Sequence, residues 1–259
     1  MALRRLLFLF LLNSKMNPIF LHLTSTESTN AFLLEKAETQ NVENFVVYAD
    51  NQSQGRGMGS NTWEAEPFKN LTFSLALNSS FVNVANQFQI SQAVAVALHQ
   101  SLSFYLDTNR LFIKWPNDIL FDNSKLSGVL ISNILKDNKM DLSVVGIGVN
   151  VNQIQFQDWP THPISMKMVS GKDFDLEEIL HNVVDSIYNN MESLRSGGYS
   201  SINDYYLSRL YRYRQWAGYL VDNQEKQLFM EGLDNFGRLV LRDKDSVEHV
   251  FDVKQVRFL

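Results

Sequence analysis

The chain of 259 residues contains no cysteine. This absence excludes disulfide bonds, thiolate metal sites and a cysteine nucleophile, and it fits a protein of a reducing compartment such as the cytoplasm. Any chemistry that the protein performs must therefore proceed without a thiol.

An excess of positive charge is also missing. Lysine and arginine number 23 against 28 aspartate and glutamate residues, which gives a formal net charge of −5. A protein that binds nucleic acid by neutralising many phosphates would be basic, so we expect no nucleic-acid partner. An anionic ligand would instead have to be met by a local cluster of cations.

A hydrophobic run long enough to cross a membrane is absent from the N-terminal region. The apolar stretch Leu6 to Leu12 follows Arg4 and Arg5, but it is too short for a span, and no small-residue cleavage site follows it. We therefore predict neither a membrane anchor nor a secretory signal. We interpret residues 1–15 as an upstream extension or a disordered segment, with translation starting at Met16.

The apolar content of 45% is ample for a sizeable core. Runs such as "FVVYA" (45–49) and "LTFSLAL" (71–77) are typical of strands. Apolar residues at helical spacing predict a helix over 87–106. The other predicted elements are strands at 110–114, 127–134 and 142–149 and helices at 175–195 and 200–214.

From about Trp216 the pattern changes to short β-type runs separated by turn residues. We therefore predict two domains, a mixed α+β domain over residues 16–214 and a small β-barrel-like domain over residues 215–259.

The two early strands are separated by a loop of about twenty residues, longer than compact domains usually tolerate without a function. Within it, three glycines alternate with Arg56 and Met58 in "GRGMG" (55–59). Glycines at this density let backbone N–H groups approach an anion, and the arginine supplies a planar cation. A flexible surface loop is the alternative. Trp63 could stack on a planar base or belong to the core.

The stretch "IKWPNDIL" (113–120) places polar side chains where a strand ends. Lys114 would lie at the rim of the sheet, and Asn117 and Asp118 offer an amide and a carboxylate to a base edge or a metal-bound phosphate. A capped turn with a solvated lysine is the alternative. Lys125 stands seven residues after Asp118 and begins another strand.

Glycines also stand inside the predicted strands, at Gly128, Gly146 and Gly148. Glycine weakens a strand, so its presence there indicates that another group packs closely against the backbone.

Four segments, in this order, resemble the biotin protein ligases: "ESTN" (27–30), "GRGMGSNTW" (55–63), "KWPNDI" (114–119) with "KLSGVLI" (125–131), and "GIGVNVN" (146–152). KWPND followed by K-x-x-G is the most specific of them. The resemblance implies an α+β fold with a mixed central sheet and flanking helices, similar to the class II aminoacyl-tRNA synthetases. It also implies that the C-terminal segment is a small SH3-like β-barrel.

The activity that this resemblance implies is ATP-dependent. Biotin and ATP would form biotinyl-5′-AMP, with Mg²⁺ required, and the biotinyl group would pass to one lysine of a biotin carboxyl carrier protein. The first step brings a carboxylate to a phosphate, and two unit charges about 4 Å apart repel by roughly 4 kcal/mol at an effective dielectric near 20. Cations must offset this repulsion, and no covalent nucleophile is needed.

The resemblance assigns site residues by position. The catalytic residues that it implies are Arg56, Lys114 and Lys125. The residues implied for biotin are Ser28, Thr29, Asn30, Gln52, Gly55, Arg56, Lys125, Gly128 and Gly146. The residues implied for ATP are Arg56, Gly57, Met58, Trp63, Lys114, Asn117, Asp118 and Asn150. No metal ligand is assigned.

The sequence departs from the family pattern at two places. Met58 stands where the family often has a second arginine, and Ser60 replaces a glycine, so we expect looser retention of the adenylate and measurable escape of activated biotin. The "STN" motif begins at position 28, which leaves no room for an N-terminal winged helix. We therefore expect a monofunctional ligase without a DNA-binding domain.

Three alternatives have to be weighed. A lipoate–protein ligase also makes an acyl-adenylate, but KWPND followed by K-x-x-G favours biotin. Octanoyl transferases depend on a cysteine, which is absent here. A non-catalytic biotin-binding regulator would be indicated by loss of Arg56 or Lys125, and both are present. A homodimer formed through the central sheet stays open, and no membrane partner is expected.

Overall fold

The structure is a computed structural model that describes residues 17–59, 61–157 and 162–259. The predictions for residues 1–15, for Met16 and for Ser60 lie outside the described residues.

The first part of the chain mixes strands and helices, and three helices and a run of five strands follow. The first part contains β1 (Ile19–Leu23), α1 (Thr29–Thr39), β2 (Phe45–Ala49), β3 (Leu71–Asn78), α2 (Phe88–Leu102), β4 (Leu111–Lys114), β5 (Asp118–Phe121), β6 (Ser124–Lys136) and β7 (Lys139–Val149). The second part contains α3 (Met166–Ser170), α4 (Leu176–Arg195), α5 (Tyr199–Arg209), β8 (Trp216–Val221), β9 (Gln224–Leu233), β10 (Leu239–Arg242), β11 (Glu248–Phe251) and β12 (Val256–Phe258).

Seven strands form one mixed sheet in the order β1-β2-β3-β7-β6-β5-β4. The β1–β2 pair is parallel, and the other neighbours are antiparallel. The prediction of an α+β fold with a mixed central sheet and flanking helices is confirmed.

The two faces of this sheet are covered by different helices. Successive strand residues point to opposite faces, and the buried residues divide accordingly into two clusters. Val46, Leu75 and Val145 belong to the large core with residues of α2, α4 and α5. Val47 and Val144, with their neighbour Leu33 of α1, belong to the smaller core. Because α1 has only eleven residues, it covers only part of its face.

Some local predictions differ from the structure. The helix predicted over 200–214 ends at Arg209, because the next residue, Leu210, has an extended backbone conformation. The helix predicted to reach residue 106 ends at Leu102, because Ser103 turns its hydroxyl back onto the carbonyl of His99 at 2.7 Å and thereby competes with the helical pattern. Strand β5 was not predicted. Its four residues pair with β4 on one side and β6 on the other.

The C-terminal strands form a second, five-stranded antiparallel sheet in the order β11-β10-β9-β8-β12. A C-terminal β domain was predicted, and its sheet begins at Trp216. The domain division after residue 214 stays a prediction. None of the helices in the described part of the chain combines the length and the apolar character that a membrane span requires.

The second sheet is attached beside the polar turn that follows β4. The indole of Trp115 is buried and donates a hydrogen bond of 2.8 Å to the carbonyl of Gly237, in the turn between β9 and β10. The ring of Phe88 fills the space where a side chain at position 237 would stand. Trp115 therefore belongs to the junction between the two sheets, which explains why a tryptophan stands inside this turn.

Candidate functional site

A hollow lies on the face of the central sheet that carries α1, beside the first turn of that helix. Its cavity volume is about 110 Å³. Most of the residues proposed from the sequence line it: Ser28, Thr29, Asn30, Gln52, Arg56, Gly57, Met58, Trp63, Asn117, Asp118, Lys125, Gly128 and Gly146. Gly55, Lys114 and Asn150 lie outside the lining as the described residues define it.

An uncharged polar cluster forms where α1 begins. Ser28 caps the helix, with its hydroxyl 3.4 Å from the amide of Ala31. Thr29 donates from its amide and its hydroxyl to the side-chain oxygen of Gln52, at 2.8 and 3.0 Å. The hydroxyls of Thr29 and Ser74 are 2.9 Å apart. We call Ser28, Thr29, Gln52 and Ser74, together with Asn30, the polar cluster.

Asn30 is the member of the polar cluster that turns toward the glycines of β7. A methyl group added at Gly146 would lie 3.2 Å from its amide nitrogen. This nitrogen is buried and has no hydrogen-bond partner among the described residues. A buried amide without a partner costs free energy that a ligand acceptor would recover.

The glycine-rich loop folds as a small hairpin. The amide of Trp63 donates to Gly55 at 2.9 Å, the amide of Gly57 donates to Asn61 at 2.8 Å, and Arg56 is bridged to Thr62. We call the described residues between Gly55 and Trp63 the loop hairpin. It carries Arg56 and Trp63 to the hollow from outside the sheet.

The indole of Trp63 lies directly on two strand glycines. A methyl group added at Gly148 would lie 2.2 Å from Cε2 of the indole, and one added at Gly128 would lie 3.2 Å from Cζ3. The glycines are therefore required because an aromatic ring approaches the backbone. The sequence predicted a close neighbour for these glycines, and the structure identifies that neighbour as Trp63.

A β-bulge places Lys125 beside Asp118. Ile119 is opposite Ser127, but Leu120 is opposite Lys125, so Leu126 is an extra residue in β6. An extra residue reverses the alternation of side chains beyond it. Lys125 therefore falls on the face that Asp118 occupies, and its ammonium lies 2.8 Å from the Asp118 carboxylate.

The hollow is electropositive although the chain is acidic. The charged residues of the lining are Arg56, Lys125 and Asp118, two cations against one carboxylate. The Lys125 ammonium also lies 5.7 Å from the centre of the Trp63 ring. An anion in the hollow would meet a fixed pair of cations, as expected for a site that neutralises negative charge.

Lys114 has a different environment from the other two predicted cations. Its ammonium lies 5.3 Å from the ring centre of Phe258 in the C-terminal sheet. Burial lowers the pKa of Lys114, and the nearby cations Lys125 and Arg212 act in the same direction, while Asp118 opposes them. Lys114 is thus close to the charged group but stands at its edge, against the second sheet.

Asn117 and Asn150 hold the strands around the hollow. The side-chain amide of Asn117 donates to the carbonyl of Val129, and that of Asn150 donates to the carbonyl of Lys125 at 3.3 Å. Both asparagines donate to carbonyl groups of β6, at or near Lys125, and so stabilise the backbone around the site.

Eight lining residues were not proposed from the sequence: Asn61, Thr62, Phe73, Ser74, Val129, Leu130, Ile147 and Gly148. For Ser74 a signal was available. With Thr72 it is one of two polar residues inside an otherwise apolar strand, and the structure places it opposite Gly146.

Comparison with known proteins shows a family match. Residues 22–150 match the model of the biotin/lipoate A/B protein ligase family. The biotin–[acetyl-CoA-carboxylase] ligase of Paracoccus denitrificans is 29% identical over 225 residues, which cover 85% of this chain and 92% of that protein. The bifunctional ligase/repressor BirA of Bacillus spizizenii is 30% identical over 162 residues, which cover 61% of this chain and 49% of that protein.

A solved structure shows the same fold. The biotin protein ligase from Aquifex aeolicus, in complex with biotin and ATP, superposes with a TM-score of 0.75 at 23% sequence identity and covers 93% of this chain and 99% of that one. At this identity the likeness concerns the fold.

Proposed function

The chain belongs to the biotin/lipoate A/B protein ligase family, and from this membership we propose that it is a biotin–[biotin carboxyl carrier protein] ligase. It would join biotin to ATP as biotinyl-5′-AMP, release pyrophosphate, and transfer the biotinyl group to a lysine of a carrier protein.

The observation that carries the proposal is the separation of two kinds of group along β7. The polar cluster lies at Gly146, through Asn30 and Ser74, whereas Trp63 lies at Gly148 and at Gly128, its partner on the next strand. The Lys125 ammonium lies 3.2 Å from the position that a methyl group would take at Gly128. Two residues of an extended strand span roughly 7 Å. One end of the hollow therefore offers uncharged hydrogen-bonding groups, and a point roughly 7 Å away offers cations.

Biotin matches this arrangement. Its ureido ring has N–H donors and a carbonyl acceptor, which suit Thr29, Asn30, Gln52 and Ser74, and its valerate chain ends in a carboxylate. The dithiolane ring of lipoate offers no acceptor to the buried side-chain amide of Asn30, which would stay without a partner at a cost in free energy. The geometry thus favours biotin over lipoate as the acid.

In the first step an oxygen of the biotin carboxylate would form a bond to the α-phosphorus of ATP, and the bond to pyrophosphate would break. Arg56 and Lys125 would draw the two anions together and offset their repulsion. In the second step the uncharged amine of the carrier lysine would attack the acyl carbon, lose a proton, and release AMP. The proposed roles require positioning and charge, with no covalent enzyme intermediate.

Trp63 would lie against the adenine, and Asn117 and Asn150 would line its edge. The cavity of about 110 Å³ is well below the roughly 300–1,000 Å³ of typical ligand sites. The hollow would therefore have to widen when both substrates enter. Lys114, at the edge of the charged group, would meet the outer phosphates.

Magnesium would enter with the nucleotide. Within the described ranges no group of three or more acidic or histidine side chains is arranged to hold a metal ion. Mg²⁺ commonly binds through substrate phosphates and one or two carboxylates, and Asp118 is the carboxylate of the lining. Bound there, it would add positive charge on the phosphates.

The test is to incubate the purified protein with biotin, MgATP and a biotin carrier domain, and to measure the mass of the carrier. We expect a gain of one biotinyl group on one lysine. A parallel reaction with lipoate and a lipoyl domain should leave the mass unchanged. A carrier that stays unmodified by biotin, or a lipoyl domain that gains lipoate, would refute the proposal.

A further inference from the structure

The tip of the loop hairpin meets a lysine of the C-terminal sheet. The position that a methyl group would take at Gly59 lies 2.6 Å from Nζ and 2.9 Å from Cε of Lys254. Both residues are exposed, so the contact is made at the surface, across the space between the two sheets.

The loop hairpin has little to hold it by itself. It is a two-stranded hairpin with a few backbone hydrogen bonds, and an isolated hairpin of two strands is marginally stable in water. Its base is anchored where Trp63 packs on the strand glycines. Its tip, at Gly59, needs a separate anchor if Arg56 is to keep one position over the hollow.

The turn that carries Lys254 is better held. It connects the edge strands β11 and β12, and Asp252 and Gln255 close it through hydrogen bonds of 2.7 and 3.1 Å. Lys254 itself has φ of +76°, which is uncommon for a residue other than glycine. Such a conformation is maintained where the surroundings fix it, and here it belongs to the turn that presents the ammonium to Gly59.

Gly59 is suited to this contact. Its φ is +70°, a left-handed conformation that glycine adopts without penalty. The absence of a side chain lets the ammonium approach the backbone at the tip of the loop hairpin.

We propose that Lys254 is a positioning residue whose ammonium holds the tip of the loop hairpin against the C-terminal sheet, so that Arg56 and Trp63 stay in place over the hollow. The effect on catalysis rests on the proposed function, because the loop hairpin would order the ATP end of that site. The contact between Lys254 and the tip of the loop hairpin does not itself depend on a bound substrate.

The first test measures amide hydrogen exchange without ligands at Gly57 and Asn61, whose amides donate hydrogen bonds within the loop hairpin. We expect exchange about fivefold faster in Lys254→Ala and in Lys254→Met, which keeps the length of the side chain but loses the ammonium. Lys254→Arg should resemble the wild type. Lys244→Ala, which removes an exposed lysine from a neighbouring turn of the same sheet, is the matched control.

A double-mutant cycle tests whether the two residues touch. Gly59→Ala strains the backbone in any background, but its methyl group clashes with the ammonium only when Lys254 is present. The effects of Gly59→Ala and Lys254→Ala on exchange should therefore be non-additive. Additive effects, or exchange in Lys254→Met equal to that of the wild type, would overturn the proposal.

In catalysis, loss of the Lys254 ammonium should affect KM for ATP and not KM for biotin. Lys254→Met should raise KM for ATP about fivefold in biotinyl-AMP formation and leave KM for biotin within twofold, whereas Lys244→Ala should change neither. Unchanged ATP kinetics in Lys254→Met would overturn the catalytic part. If the wild type forms no biotinyl-AMP, the proposed function is wrong. The exchange experiments would still decide whether Lys254 holds the tip of the loop hairpin.

Discussion

Replacement of Lys125 by methionine should have a larger effect than the loss of one favourable contact. The Lys125 ammonium lies 2.8 Å from the Asp118 carboxylate, and the two side chains are only 25% and 16% exposed. Solvent therefore screens the pair incompletely. Lys125→Met removes a cation from the hollow and leaves the carboxylate behind, so the charges of the lining, now Arg56 and Asp118, sum to zero instead of +1 and no longer attract an incoming anion.

The magnitude follows from the charge separation. At an effective dielectric near 20, one unit charge about 4 Å from a carboxylate or phosphate contributes roughly 4 kcal/mol. Because about 1.4 kcal/mol corresponds to a tenfold change in rate, kcat/KM for biotin should fall roughly 10³-fold.

The assay measures the rate of biotinyl-AMP formation through the pyrophosphate that is released. Lys136→Met removes an exposed lysine from the far end of the same strand and should leave the rate unchanged. Circular dichroism of each variant confirms that the fold is retained. A Lys125→Met enzyme within threefold of the wild type would refute the electrostatic reasoning.

Three further predictions concern stability. Gly148→Ala places a methyl group 2.2 Å from a ring atom of Trp63, so the free energy of unfolding in urea should fall by about 1–3 kcal/mol from overpacking. Trp115→Phe leaves the carbonyl of Gly237 without its 2.8 Å hydrogen bond, which should cost about 1–3 kcal/mol in the same measurement. Burial lowers the pKa of His99 from 6.5 to about 4. Below pH 6.5 the unfolded chain therefore binds a proton at His99 that the folded chain does not bind. The free energy of unfolding should fall by about 2 kcal/mol between pH 6.5 and pH 5. His99→Gln should lack this share of the pH dependence.

Matched control variants distinguish these specific losses of stability from the effect of any substitution of the same type. Gly218→Ala, in a strand where the nearest atom to the added methyl group is 3.5 Å away, should change stability by less than Gly148→Ala. Trp216→Phe alters an exposed indole and should have little effect. Equal losses within either pair, or a pH slope in His99→Gln equal to that of the wild type, would contradict the respective prediction.

The helices and most strands followed from patterns that depend on nearby residues. The helix over 176–195 was predicted within one residue at its start, because apolar residues recur at helical spacing and Asp175 caps the first turn. The fifth strand was not predicted, because it begins at Asp118, a residue that the sequence pattern placed in a polar turn after β4.

The membership of the hollow was predictable to a large extent, because the motifs place chemically informative residues on loops and strand ends. The features of the site that were not predicted depend on pairing between segments that are distant in the sequence. The bulge at Leu126 decides on which face Lys125 lies, and a register shift leaves no local trace in the sequence. Ser74 joined the site because its strand pairs with β7, which sequence spacing alone does not fix.

The surroundings of Lys114 could not be predicted from the sequence. The resemblance grouped it with Arg56 and Lys125 as a catalytic residue. The second sheet, however, brings Phe258 to within 5.3 Å of its ammonium. A residue from the end of the chain thus defines the environment of Lys114, and no local pattern encodes that contact.

The most direct test of the central claim is a crystal structure of the protein with biotin and a non-hydrolysable ATP analogue. We expect the ureido ring at the polar cluster, with Thr29 and Asn30 in contact, and the carboxylate between Arg56 and Lys125 beside the α-phosphate. Biotin bound elsewhere, or bound with its carboxylate away from both cations, would contradict the account.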